Sequence, residues 1–65
     1  MRNTKVQAWV DAAARDGVPY LVVVCDTFDW TDYPVRCASR EDADALVDDP
    51  GSMQRVMEVV DLARA

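Results

Sequence analysis

Six consecutive apolar residues, Tyr20-Leu21-Val22-Val23-Val24-Cys25, sit between Pro19 and Asp26 in a chain of 65 residues. Branched valines favour strand, and the run is too short for a helix between such breakers. Along a strand, successive side chains point to opposite faces. Leu21, Val23 and Cys25 therefore line one face, and Tyr20, Val22 and Val24 the other. A hairpin backed by helices on one side leaves the second set in water. Two arrangements avoid this: helices on both faces, or a second copy of the chain covering the bare side. A domain this small buries only about 60% of the surface its unfolded chain exposes, so help from a disulfide, a metal or a partner chain is expected. The expectation is a homodimer, in which an exposed apolar strand also invites pairing edge to edge.

The flanking segments place this strand in a single α+β domain spanning residues 1–65. Thr4-Lys5-Val6-Gln7 has capping-box spacing, and Val6, Trp9, Val10 and Ala13 follow at helical intervals. Gly17 and Pro19 end that helix, predicted over residues 5–16. A second strand is predicted in Tyr33-Pro34-Val35-Arg36-Cys37-Ala38, with Pro34 marking an edge or a strand start. Trp30-Thr31-Asp32 forms the hairpin loop between the strands. Centring the hairpin on Thr31 sets Asp26 opposite Arg36, Thr27 opposite Val35 and Cys25 opposite Cys37. Ser39 caps a helix whose apolar face is Ala43, Leu46 and Val47, closed by Asp48-Asp49-Pro50-Gly51. Met53, Val56, Met57, Val60 and Ala63, broadened by Val59 and Leu62, read as the stripe of a last helix starting at Ser52 or Asp49. The predicted order is helix, antiparallel β-hairpin, two helices.

Composition removes several functions. Seven basic against twelve acidic side chains give a net charge of −5, and ten of the acids are Asp. Repulsion from phosphates argues against direct nucleic-acid binding and against anionic membranes. No apolar run approaches the ~20 residues of a membrane span, and no apolar segment follows the basic start as in a secretory signal. The chain reads as a cytoplasmic protein complete from its own start codon. It has no Ile and one Lys against six Arg, a bias that suggests a GC-rich genome.

Val24-Cys25-Asp26-Thr27-Phe28-Asp29, Asp32-Tyr33-Pro34-Val35 and Met53-Gln54-Arg55-Val56-Met57-Glu58-Val59 resemble small uncharacterised proteins encoded by tailed bacteriophages. The three blocks cover about a quarter of the chain. The resemblance implies a phage-borne accessory protein acting in the host cytoplasm, and together with the bias toward a GC-rich genome it points to an actinobacterial host. It carries no enzymatic motif and no site residues.

Each chemical constellation has a simpler reading beside it. Cys25 and Cys37 serve as a cross-strand disulfide or as two reduced thiols filling the core; a reducing cytosol favours the thiols. Zinc lacks His ligands, and a catalytic Cys lacks a neighbouring cation to lower its pKa. Asp26, Asp29 and Asp32 have spacing that suits a cation, but turn chemistry explains Asp at such places. Glu41, Asp42, Asp44, Asp48 and Asp49 make an acidic patch, read as a phosphate mimic or as a solvated helix face. Met53 and Met57 make a partner-binding surface with Trp9, Phe28 and Trp30 or fill gaps in the core, and the core is the favoured reading. Trp30 either folds back onto a helix or anchors an interface.

The expected function is that of a non-enzymatic interaction module with no cofactor or metal. It self-associates and binds a host or phage protein through Tyr20, Val22, Val24 and Trp30. The alternative is an acidic mimic that blocks a nucleic-acid-binding protein through the Glu41–Asp49 patch.

Overall fold

In a computed structural model, which describes residues 3–63, the apolar run is the central strand of a three-stranded antiparallel sheet. The elements follow the order α1 (Thr4–Arg15), β1 (Tyr20–Asp26), β2 (Thr31–Cys37), α2 (Arg40–Asp48) and β3 (Gln54–Asp61). The sheet order is β2-β1-β3, so both neighbours of β1 belong to the same chain.

The apolar faces of β1 are covered by one helix each. Leu21 and Val23 join Val6, Val10 and Ala13 of α1 and Val60 of β3 in one core, edged by Trp9, Val18 and Leu62. Val22 and Val24 join Cys37 and Ala43 in a second core, against which Tyr20, Tyr33, Val35, Leu46 and Val56 pack. Leu21, Val22 and Val24 are the largest fully buried side chains. Each contributes about 1.5–3 kcal/mol by leaving water. Helices on both faces thus enclose β1 within a single copy.

Local chemistry fixes the helix ends. The N-cap of α1 is Asn3 rather than Thr4: its side chain accepts the Lys5 N–H at 2.8 Å and the Val6 N–H at 3.1 Å. The helix stops where the sequence requires. Gly17 has φ +76°, and the Val18 N–H folds back to the Ala13 carbonyl at 3.0 Å, a left-handed cap that glycine adopts at little cost. Ser39 caps α2 by accepting the Asp42 N–H at 3.2 Å. Ala43 is buried beneath α2 and Leu46 packs on the core, but Val47 is 47% exposed.

The hairpin register differs from the expected one. Asp26 pairs with Thr31, Cys25 with Asp32 and Tyr20 with Cys37. The loop is therefore residues 27–30, closed by Trp30 at φ +59°. Two carboxylates shape it: Asp26 accepts the Phe28 N–H at 2.9 Å and Asp29 the Thr31 N–H at 3.1 Å. Arg36 finds its partner in Asp16, just past α1, at 2.7 Å. An odd shift of register exchanges faces, so Cys37 joins the α2 core while Cys25 lies on the α1 side. Pro34 sits within β2, an edge strand, where a missing N–H is tolerated.

The last segment is a strand, not a helix. Its register against β1 slips between Val23 and Val24: Val24 faces Val56, but Val23 faces Glu58, leaving Met57 as an extra residue. A bulge turns the two-residue period into a local step of three. Val56 and Val59 consequently share the α2 side, while Val60 enters the α1 core. The resulting i, i+3, i+4 spacing imitates a helix. Met53 and Met57 are each 54% exposed, so neither fills the core as expected, and Ala63 is exposed as well.

Candidate functional site

The expected contact residues separate. Val22 and Val24 lie wholly inside the second core beneath α2, out of reach of a partner, and Tyr20 is half-buried beside them. Trp30 alone of that set stands in water, 73% exposed, rather than folding back onto a helix.

Trp30 has company at that end of the sheet. Phe28, two residues earlier in the same loop, is 75% exposed. The Thr27 N–H donates to the Met53 carbonyl at 2.8 Å, tying the start of β3 to the loop. The Met53 backbone is thus held beside the hairpin loop, and its exposed side chain joins Phe28 and Trp30 at this end of the sheet. Trp30 and Met53 are also the two non-glycine residues with positive φ among those described, each at +59°. The left-handed region costs a bulky L-residue on the order of 1 kcal/mol, and such strain gathers at functional places. Sequence reasoning weighed Phe28 and Met53 with Trp30 as part of a partner surface but favoured the core for Met53, because the true loop boundaries and β3 were not legible in it. The Val24–Asp29, Asp32–Val35 and Met53–Val59 blocks occupy neighbouring strands and meet here: Cys25 faces Asp32 on one side and Arg55 on the other.

The carboxylates of this end serve as turn formers. Asp26 and Asp29 each hold a backbone N–H with one oxygen, the role that Asp has in tight turns. The patch Glu41, Asp42, Asp44, Asp48 and Asp49 lies along and just beyond α2, and all five residues are exposed. Asp44 pairs loosely with Arg40 at 3.7 Å, and Asp49 accepts the Gly51 N–H at 3.3 Å.

Both thiols are free and buried, on different faces of the sheet. Burial pushes the Cys25 thiol up, helped by its hydrogen bond to Asp32 and the charges of Asp32 and Asp26; Arg55 opposes this. Burial and the Asp42 charge raise Cys37. The folded chain therefore keeps protons that the unfolded chain releases as pH rises through the ordinary thiol range. Stability attributable to these thiols is intact below that range and is lost as pH climbs through the raised values. In a thiol-titration assay at neutral pH the folded protein is expected to react slowly. Denaturant should release both thiols to fast reaction; fast reaction of the native protein would contradict their burial.

At the opposite end of β1 a cavity of about 300 Å³ is lined by Gly17, Val18, Pro19, Arg36, Cys37 and Ala38. Its one charged residue, Arg36, is already paired with Asp16, and its thiol is held protonated. It brings together no nucleophile and base. Among the described residues, no helix is long and apolar enough to cross a membrane. In comparisons with protein-family models, curated proteins and solved structures, nothing matches this chain.

Proposed function

We propose that the chain is a small non-enzymatic interaction module whose contact surface is the hairpin tip, Phe28 and Trp30 with Met53. The observation that carries this reading is the exposure of two large aromatics on a four-residue loop pinned by the Asp29 carboxylate within it and the Asp26 carboxylate at its base. Rigid aromatic anchors lose little entropy on binding and dominate many interfaces. The likeness of three sequence blocks to tailed-phage proteins supports an accessory role in a host cytoplasm, where free thiols persist. A bare sheet face was the ground for expecting a homodimer. With α1 and α2 covering both faces, that ground is gone, and the routes left for pairing through the sheet are the outer edges of β2 and β3.

Trp30→Gly tests the contact surface without threatening the fold. Glycine suits φ +59°, and the strain relieved offsets its added freedom in the unfolded chain. The variant should match the parent in thermal stability and far-ultraviolet circular dichroism, yet bind a captured cellular partner at least about tenfold more weakly, a loss of about 1.4 kcal/mol. Undiminished capture would refute the assignment.

The second reading is acidic mimicry, favoured by the exposure of all five carboxylates at and beyond α2. It predicts binding to a nucleic-acid-binding protein that weakens steeply with salt and on neutralising Asp44 and Asp48. Salt-insensitive binding would exclude it.

A further inference from the structure

We infer that the partner of the hairpin tip is a basic, apolar segment of another protein, recognised by Phe28, Trp30 and Met53 within a rim of Asp26, Asp29 and Asp32. This rests on the tip being a contact surface and specifies what it contacts. The apolar centre is exposed by 75% at Phe28, 73% at Trp30 and 54% at Met53. Carboxylates lie immediately beside it. Asp29 is within the loop, Asp26 is in the row closing the loop, and Asp32 is one row further on β2. Across those two rows Arg55 on β3 is the one basic residue. Asp26 and Asp29 are held by backbone N–H groups at 2.9 and 3.1 Å, so the rim is set before any partner arrives.

That combination excludes other occupants on physical grounds. A second copy docking tip to tip would bring two sets of these three carboxylates together around an apolar patch, where water is expelled and like charges repel most. Anionic lipid would meet the same repulsion, reinforced by the net charge of −5. A segment with Arg or Lys flanking apolar residues meets complementary surfaces throughout. Its apolar residues cover Phe28 and Met53, its cations reach the rim, and a guanidinium can stack on the open face of Trp30. The chain already makes one such contact, with the Lys5 ammonium 5.3 Å from the Trp9 ring centre. The negative field of the whole molecule also speeds the approach of a basic partner.

The test uses the full-length ¹⁵N-labelled chain and two synthetic amphipathic helical peptides. These share one set of apolar residues, but one carries Arg and the other Glu at the polar positions. Phosphatidylcholine vesicles with and without phosphatidylserine complete the set. The Arg peptide is expected to shift the amides of residues 27–31 and 53–55 and the Trp30 indole N–H. Asp29→Asn with Asp32→Asn should weaken that binding about tenfold; the side-chain amide introduced in the loop retains an oxygen that can accept the Thr31 N–H. The Glu peptide and the anionic vesicles are expected to leave the tip unmoved. Equal binding of both peptides at the tip would overturn the basic-partner inference while leaving the contact surface standing. Arg-peptide shifts on α2 instead of the tip would overturn it in favour of the acidic patch. No shift with either peptide, shifts with phosphatidylserine vesicles, or concentration-dependent tip shifts without peptide would each overturn it too. Whether the tip is a contact surface at all is decided separately, by partner capture with Trp30→Gly.

Discussion

Val22→Asp is expected to leave the chain unfolded at room temperature. Val22 is completely buried beneath α2, with Val24, Cys37 and Ala43 around it. Substitution loses about 1.5–3 kcal/mol of apolar burial and adds the several kcal/mol needed to hold an unpaired carboxylate out of water. A chain of this length has roughly 3–10 kcal/mol in total, so the substitution consumes most or all of it. The control is Val59→Asp. Val59 faces Val22 from β3 on the same side of the sheet, but it is 45% exposed. Its new carboxylate stays wet, and the cost should be about 1 kcal/mol, mainly strand preference. Circular dichroism and urea titration separate the two variants. A folded Val22→Asp chain would mean that α2 does not cover this face.

Ending the chain after Gly51 should be as damaging. That truncation removes β3, and with it the backbone pairing along β1 from Tyr20 to Asp26. It also takes Val60 from the α1 core and Val56 from the α2 core. The central strand becomes an edge that is apolar on both faces, which invites aggregation. The truncated chain is expected to be insoluble or to lack cooperative unfolding. A soluble, cooperatively melting fragment would show that β3 is an accessory and not part of the sheet.

The sequence signals that survived folding were local and redundant. Gly17 and Pro19 stopped α1 where predicted, Ser39 started α2, and the valine run declared β1 and the need to cover both of its faces. The signals that failed were those in which one pattern has two physical causes. Val56, Val59 and Val60 have helical spacing, yet a single extra residue at Met57 produces the same spacing in a strand. Asp26 and Arg36 suggested a cross-strand pair, but Asp26 was needed in the loop and Arg36 by Asp16. That error in register placed the loop at Trp30-Thr31-Asp32 instead of residues 27–30. Once Trp30 closes a loop that begins at Thr27, Phe28 becomes a tip residue, and β3 brings Met53 alongside. The contact site depends on long-range pairing, which is why its three apolar residues could be weighed together beforehand as a surface while Met53 was still assigned to the core.

Trp30 standing in water on a folded chain is tested most directly in a Trp9→Phe variant, where the remaining tryptophan fluorescence belongs to Trp30. In the native variant its emission should resemble that of tryptophan free in water, with acrylamide quenching close to the free amino acid, while the chain still unfolds cooperatively. Blue-shifted emission and strong protection from acrylamide in the isolated folded chain would contradict an open aromatic tip.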